Sequence, residues 1–337
     1  MTSVVFWVGV LTLVGFYGIL AMILNMEGGW GGMWDLGTAG LLAVASYFFV
    51  IVTLDDAMLG TRFAPGWPLW LAWPASAVFT GIVAFLVSLP ALRLRREYFL
   101  ITTFAFAEII RQLIVVQDDL TRGVIGFSGL DRPFDDVVTG RDYNYVLLGL
   151  VAIGVVVVFL ITRVVARSSF GLLLRAARDN EALALSLGRK VNRMRRETFV
   201  LAGVLIGAVA PLYLWYIRAV TPQLFAPAVT FTAWSALVLG GLGSIAGPIL
   251  GAFLLIVFTE AVGLVDWSPD QANLATALEP FLVGMLLIVV LRVRPQGLLG
   301  ERGAFRRATR RDRSDDATEP PANDALPAPA MSTPRSG

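Results

Sequence analysis

The chain predicts an all-α polytopic membrane protein with about nine transmembrane segments, some of them broken by glycine. Three observations carry this reading. Of 337 residues, 56% are hydrophobic and only 15% charged, against about 25% charged in an ordinary soluble domain. The charges fall in short clusters between apolar runs, several of which reach the ~20 residues that a helix needs to cross a bilayer. Two apolar stretches are interrupted by glycine clusters, Gly28-Gly29-Trp30-Gly31-Gly32 early and Gly240–Pro248 late.

Composition also narrows the chemistry. Cysteine and histidine are absent, which removes disulfides, thiolate nucleophiles, Cys/His metal sites and imidazole acid–base catalysis. No metal or other cofactor is expected. The net charge of +2 is too small for a nucleic-acid binder. Met1-Thr2-Ser3 carries no positive n-region and a long apolar run follows, so the first segment reads as a retained span rather than a cleaved signal peptide.

Each element follows in order. The first run is Val4–Leu24, closed by Asn25-Met26-Glu27 and the early glycine cluster. The second, Leu36–Leu54, ends at the polar loop of Asp55, Asp56 and Arg62. The third, Trp67–Leu92, contains Pro74, where a kink is expected. The basic turn Arg93-Leu94-Arg95-Arg96 precedes the fourth run, Tyr98–Val116, which carries Glu108 and Arg111. Then come the acidic loop Gln117–Asn144, the fifth run Tyr145–Ala166, the arginine-rich segment Arg167–Glu197 and the sixth run Thr198–Ile217. Ala228–Val262 is nearly all apolar, and Leu274–Leu291 is the last run. Trp7, Trp67, Trp70, Trp215 and Trp267 lie near run ends, where indoles favour the membrane interface. Residues 1–300 thus read as a transmembrane domain. Residues 301–337, basic and then rich in Pro and Ala, read as a disordered cytoplasmic tail whose arginines sit near anionic lipid headgroups.

Orientation follows from the excess of Lys and Arg in cytoplasmic loops. Arg93–Arg96, 167–196 and 292–313 are expected inside. The loop Gln117–Asn144, with six aspartates and three arginines, is expected outside. The chain then emerges outside after Ile217, so an odd number of crossings must follow to bring the basic tail inside. Ala228–Val262 as one helix would be about 50 Å long, against a hydrocarbon core of about 30 Å. Splitting it at the late glycine cluster restores the parity and gives nine crossings, N-terminus outside and C-terminus inside.

Three features point to function. The segment 167–197 is long for a connection between spans. On a helix, Arg175, Arg178, Asp179 and Ser186 share about one third of the circumference, with Leu172, Ala176, Leu183 and Leu187 on the other side. Gly188 suits the position that ends such a helix. This reads either as a helix lying on the membrane or as a coupling helix that docks onto a cytoplasmic motor subunit through its polar face. Second, Glu108 and Arg111 lie three apart inside a span, where each charge costs about 2.5–3.5 kcal/mol on insertion scales. They can neutralise one another, as a structural pair or as polar lining of a solute path. Third, broken helices in both halves of a transporter place free backbone groups on the substrate path, although glycines also serve close helix packing. The late glycine stretch lacks the Lys-Ser/Thr of a phosphate-binding loop, so ATP hydrolysis would require another chain.

These residues carry a resemblance. Tyr98-Phe99 through Ala105-Phe106-Ala107-Glu108-Ile109 and Arg111 resembles the fourth-run signature of permease subunits of ABC importers for branched-chain amino acids, the LivM-like branch. So do Leu120-Thr121-Arg122-Gly123 with Gly126-Phe127-Ser128-Gly129-Leu130, and Gly171 through Arg175-Ala176, Arg178-Asp179-Asn180-Glu181 and Leu187-Gly188. Leu239-Gly240-Gly241-Leu242-Gly243-Ser244 with Gly247-Pro248, and Arg294-Pro295-Gln296-Gly297-Leu298-Leu299-Gly300, are similar to its late glycine and closing motifs. The five motifs stand in the family's order. The resemblance implies a pore subunit, not an enzyme, in the bacterial inner membrane. Its partners would be a homologous second permease, two ATPase subunits and an extracytoplasmic solute-binding protein. From the charged pair and the glycine breaks, the substrate path is expected at Gly28, Gly29, Asp35, Glu108, Arg111, Gly240, Gly241 and Gly243, and ATPase coupling at Arg175, Arg178, Asp179, Asn180, Glu181 and Gly188, where the loop is also similar to the family's. Two positions depart from the pattern: Asp35-Leu36-Gly37-Thr38 replaces a Ser-Leu-Gly-His-like stretch, and Arg122 stands where glycine is preferred. Urea and short-amide permeases of the same fold therefore remain open as alternatives. So do a secondary transporter driven by protons through Glu108, and a membrane-embedded enzyme using Glu108 with Asp35 or Glu260.

Overall fold

Helix dominates the computed structural model, which describes residues 2–54, 65–94, 96–135, 138, 140–263 and 272–300. Asp55, Asp56, Arg62, Trp267 and the tail 301–337 lie outside the described residues. The first helix, α1 (Thr2–Leu24), runs directly into a π-helical turn, Asn25–Trp30. Next come α2 (Thr38–Thr53), α3 (Leu69–Ala91), α4 (Arg96–Val116) and the short α5 (Asp118–Thr121). The chain continues through α6 (Tyr143–Arg167), α7 (Ser169–Asp179), α8 (Glu181–Ser186) and α9 (Val191–Ile217), and closes with α10 (Pro227–Gly240), α11 (Gly247–Gly263) and α12 (Ala272–Val293). Among the described residues, six helical stretches are long and apolar enough to cross a membrane: Val4–Trp30, Leu69–Ala91, Glu97–Val116, Tyr143–Arg167, Val191–Ile217 and Pro222–Gly240. Thr38–Thr53, Gly247–Gly263 and Pro280–Val293 are shorter apolar helices.

The core forms around α1, α2, α9 and α10, with Ile19–Leu24 almost wholly enclosed. α3 and α9 make the most extensive helix pair, because small residues let their backbones approach. Gly203 faces Ala84, Gly81 faces Val204, and Gly207 lies against Ser76 and Ala77. Pro211 inside α9 has no N–H, which leaves the carbonyl of Gly207 without its helical donor. The Ser76 hydroxyl, shared between that carbonyl at 3.2 Å and the Ala45 carbonyl at 3.1 Å, gives it a polar neighbour in the buried span. By contrast, α4 and α6 present rows of exposed aliphatic side chains, among them Ile101, Ile109, Ile153 and Val164, as a helix facing lipid or a second subunit would.

Two strands close the end of the bundle that holds the acidic loop. β1 (Phe127–Ser128) pairs antiparallel with β2 (Ala219–Val220), Arg218 lies 3.7 Å from Asp135, and the Arg132 guanidinium sits 4.7 Å from the centre of the Tyr143 ring. Burial and the nearby Arg218 lower the Arg132 pKa from its usual value. Arg122 ends α5 with φ 56°, its N–H on the Asp118 carbonyl at 3.0 Å. In that left-handed region a non-glycine residue costs about 1 kcal/mol.

Two expectations need refinement. The apolar stretch Ala228–Val262 does divide at the late glycine cluster, into α10 and α11. The early break, however, begins as a wide helical turn and leaves the helix only after Trp30. The segment 167–187 is not one helix. Asn180, at φ −149° and ψ 94°, ends α7, and its Oδ1 accepts the Leu183 N–H at 2.9 Å to start α8. Asparagine competes with the helical backbone for such bonds, and that competition decides the break. Gly188 follows α8 at φ 74°.

Candidate functional site

The two glycine breaks, more than 200 residues apart in sequence, meet in space. Asn25 joins them: its Nδ2 donates to the Ser244 carbonyl at 2.6 Å, and its Oδ1 accepts the Gly243 N–H at 2.8 Å. Trp30 Nε1 donates to the Gly243 carbonyl at 3.0 Å. Each bond satisfies a backbone group that the broken helix cannot satisfy itself, which an apolar interior demands. The approach is so close that a Cβ on Gly29 would stand 2.8 Å from the Gly243 nitrogen. Gly28 lies under the ring of Trp234, which stacks on Trp34 with centroids 4.8 Å apart and donates from Nε1 to the Asp35 carbonyl at 2.6 Å.

Asp35 is fully buried. Its carboxylate accepts the Gly37 N–H at 2.8 Å and the Thr38 hydroxyl at 3.0 Å, which closes a local turn just ahead of α2. Thr103 of α4 accepts the Leu36 N–H at 3.0 Å. Glu27, which sequence reasoning did not single out, is also fully buried, and neither of its carboxylate oxygens has a hydrogen-bond partner.

The closing motif completes this hub. The last carbonyls of α10 have no intrahelical donors. The Leu298 N–H donates to Leu239 at 3.0 Å and the Leu299 N–H to Gly240 at 2.9 Å. Gly241 adopts φ 111°, and a Cβ there would meet the Leu299 and Gln296 carbonyls at 2.7 and 2.9 Å. Only glycine fits that position. Gly240 is pressed against Gly247 in the same way.

The arginine-rich segment docks on the same hub. Arg178 Nη1 donates to the Gly29 carbonyl, and Arg178 Nε pairs with Asp179 at 3.0 Å. Arg175 Nη2 donates to the Ala166 carbonyl at 2.7 Å, and its guanidinium lies 5.6 Å from the centre of the Trp30 ring. Glu181 makes two hydrogen bonds with Arg195, at 3.0 and 2.9 Å. The expected outward polar face is met only in part, since Asp179 and Ser186 are exposed while the arginines are engaged within the chain. Arg175, Arg178 and Glu181 turn toward the chain's own elements, because exposed carbonyls and Arg195 offer them partners. Leu172, Leu183, Leu185 and Leu187 are exposed, Leu187 at 71%, and so are Asp179, Asn180 and Ser186 beside them.

Glu108 and Arg111 pair as their spacing predicts, through two hydrogen bonds at 3.0 and 2.5 Å, with Gln112 adding a third to Glu108 at 3.1 Å. They are not in the bundle interior. Their side chains are 36% and 25% exposed, on a face of α4 that also presents Ile101 and Phe104. Glu260 lines a different cavity, with Phe6, Gly9 and Tyr216. Glu108 thus lies on an exposed α4 face, Asp35 in the interior and Glu260 beside a separate cavity. No group of three or more carboxylates among the described residues could hold a metal ion. Sequence reasoning found the glycines but missed Asn25, Glu27, Trp30 and Trp234. The available signal was a polar residue, Asn25, at the end of an apolar run and directly before a glycine cluster.

Comparison with known proteins follows the same outline. The family profile described as "Branched-chain amino acid transport system / permease component" matches residues 6–291. The chain is 29% identical over 315 residues to the high-affinity branched-chain amino acid transport system permease protein LivM of Escherichia coli (strain K12), covering 87% of this chain and 69% of that protein. A probable LivM permease protein of Methanocaldococcus jannaschii is 26% identical over 328 residues, covering 87% of this chain and 93% of that protein. Over a shorter stretch of 133 residues, 40% of each chain, it is 34% identical to the permease protein LivH of Salmonella typhimurium. No solved structure matches the chain.

Proposed function

The chain belongs to the branched-chain amino acid transport permease family, and from that premise we propose that it forms half of the translocation pathway of an ATP-driven importer of branched-chain amino acids. It is a multi-pass membrane protein of mostly helical structure. The proposed setting is the bacterial inner membrane. The proposed partners are a homologous second permease, two ATPase subunits on the cytoplasmic side and a solute-binding protein outside. Both LivM-type and LivH-type permeases resemble this chain, which supports a pair of related permeases.

We propose nine crossings, by α1, α2, α3, α4, α6, α9, α10, α11 and α12, with the N-terminus outside. The contacts between loops support this. The early break, the α3–α4 turn, α7 and α8, the late glycine loop and the closing motif meet at one end. The acidic loop and β2 meet at the other. The end rich in arginine faces the cytoplasm, and residues 167–197 form the ATPase coupling segment there.

One observation carries the mechanism: Arg178 of the coupling segment holds the Gly29 carbonyl of the early break, and Asn25 ties that break to Gly243 and Ser244 of the late one. Movement of a docked ATPase thereby reaches both broken helices through hydrogen bonds rather than through soft packing. Gly28, Gly29, Gly240, Gly241 and Gly243 are the pivots of this hub. The exposed α4 face with Glu108 and Arg111 forms the polar wall of the path toward the second permease, matching the two charges of a zwitterionic amino acid. Asp35 is assigned to the turn just ahead of α2, where its carboxylate is engaged, so the departure at that position does not argue for another cargo.

The test is uptake by the assembled importer in proteoliposomes. ATP-dependent accumulation of leucine, isoleucine and valine is expected, without competition from urea or short amides. Accumulation driven by a proton gradient without ATP would overturn the assignment in favour of a secondary transporter.

A further inference from the structure

A cavity of about 480 Å³ opens at the cytoplasmic end between the α3–α4 turn and the start of α9, within the range of about 300–1,000 Å³ usual for small-molecule sites. Its wall includes the bidentate Glu181–Arg195 pair. Arg195 is only 8% exposed, and its Nε has no hydrogen-bond partner. Arg93 and Glu97 also line the cavity, and neither makes an ion pair among the described residues. Leu92 and Leu94 complete the lining used here. These two leucines and Arg195 also line a narrow recess of about 20 Å³ that reaches Met33 and Gly32 at the early break.

Charges of both signs and an aliphatic wall specify a ligand chemistry. A simple anion would sit against Glu97 and Glu181, and a simple cation against Arg93 and Arg195; either meets repulsion in a partly enclosed space. A small zwitterion satisfies both signs. We propose that this cavity binds a free aliphatic α-amino acid from the cytoplasm, its carboxylate toward Arg93 and Arg195, its ammonium toward Glu97 and its side chain against Leu92 and Leu94. The site rests on the amino-acid cargo assigned above but serves a different end, inhibition by accumulated product. Its wall contains Glu181, which ties α8 to α9, and its recess touches the early break. A ligand there braces the coupling segment against the break and opposes the movement that transport requires. A phosphatidylethanolamine headgroup offers a similar ammonium–anion pair, so the experiment must separate the two.

The complete importer is reconstituted in vesicles with and without phosphatidylethanolamine, and initial ATP-driven leucine uptake is measured with millimolar leucine on the ATPase side. Wild type is expected to slow by at least about fivefold, the lower range of measured coupling between sites. Arg93→Gln and Glu97→Gln should transport normally without leucine on that side and resist the inhibition. N-acetyl-leucine and leucine methyl ester, each lacking one charge, should not inhibit. Equal inhibition of the variants, inhibition by either analogue, or a rate that follows phosphatidylethanolamine content instead of leucine overturns the proposal. Equilibrium binding of radiolabelled leucine to the purified importer without its solute-binding protein reads the site apart from transport. Leucine binding that both variants abolish supports the cavity even if uptake fails, in which case only the cargo reading falls; absence of such binding overturns the cavity.

Discussion

Arg178→Gln separates the two roles proposed for the segment 167–197. In the folded chain Arg178 donates to the Gly29 carbonyl, at the turn whose neighbour Asn25 holds the late break. A hydrogen bond from a charged donor is worth about 1.5–3 kcal/mol. With the side chain 23% exposed, solvent competes, and the lower end, about 1.5 kcal/mol, is the better figure. That corresponds to about a tenfold change in the equilibrium between engaged and released breaks. If a partner ATPase docks on the exposed leucines, its subunits should still co-purify with the variant. The quantity expected to fall is leucine transported per ATP hydrolysed, by about tenfold, with basal ATP hydrolysis unchanged. Leu187→Asp should do the opposite and strip the ATPases from the complex, because it places a charge on the most exposed of those leucines. Loss of the ATPases from Arg178→Gln together with their retention by Leu187→Asp would refute the reasoning and restore the polar face as the docking surface.

Four further outcomes follow. Asn25→Leu keeps the side-chain size but removes two bonds and strands the Gly243 N–H, so thermal stability in detergent should drop by about 2–4 kcal/mol; an unchanged melting temperature would show that the breaks are held by packing alone. Gly241→Ala forces a Cβ against the Leu299 carbonyl at φ 111°, and folded yield should fall steeply, whereas Gly284→Ala, with open space around it, serves as the tolerated control. Glu108→Gln and Arg111→Gln should each change the stability of the isolated chain by less than about 1 kcal/mol, since the pair is partly exposed, yet reduce transport by the assembled importer more than the double variant does; additive losses would show that the two do not act together. Glu27→Gln preserves the shape of a buried carboxyl that has no partner, so expression and transport should stay near wild type, and a large loss of transport would show that its ionised form is used during the cycle.

Much of the fold can be read from the sequence alone because the bilayer leaves few options. A long apolar run must satisfy its backbone within one helix, so run lengths and glycine positions lead to the helices found here, including the division of Ala228–Val262 at its glycines. Local chemistry also fixes the Glu108–Arg111 pair, three residues apart on one helix, and the end of α8 at Gly188. What each polar group faces depends on elements far away in sequence. Arg178 and Glu181 look like an outward polar face until Gly29 and Arg195 are placed beside them. Asp35 is shown to be buried only once Trp234 is packed against its carbonyl and Thr103 beside Leu36. Asn25 becomes a clamp only because α10 and α11 bring Gly243 and Ser244 to it. The sequence determined a helical membrane permease with two glycine breaks, since hydrophobicity and helix geometry act over a few turns. That both breaks, the segment 167–187 and the closing motif form a single hub depends on packing, because unsatisfied carbonyls in an apolar interior take whichever donors the fold brings within reach.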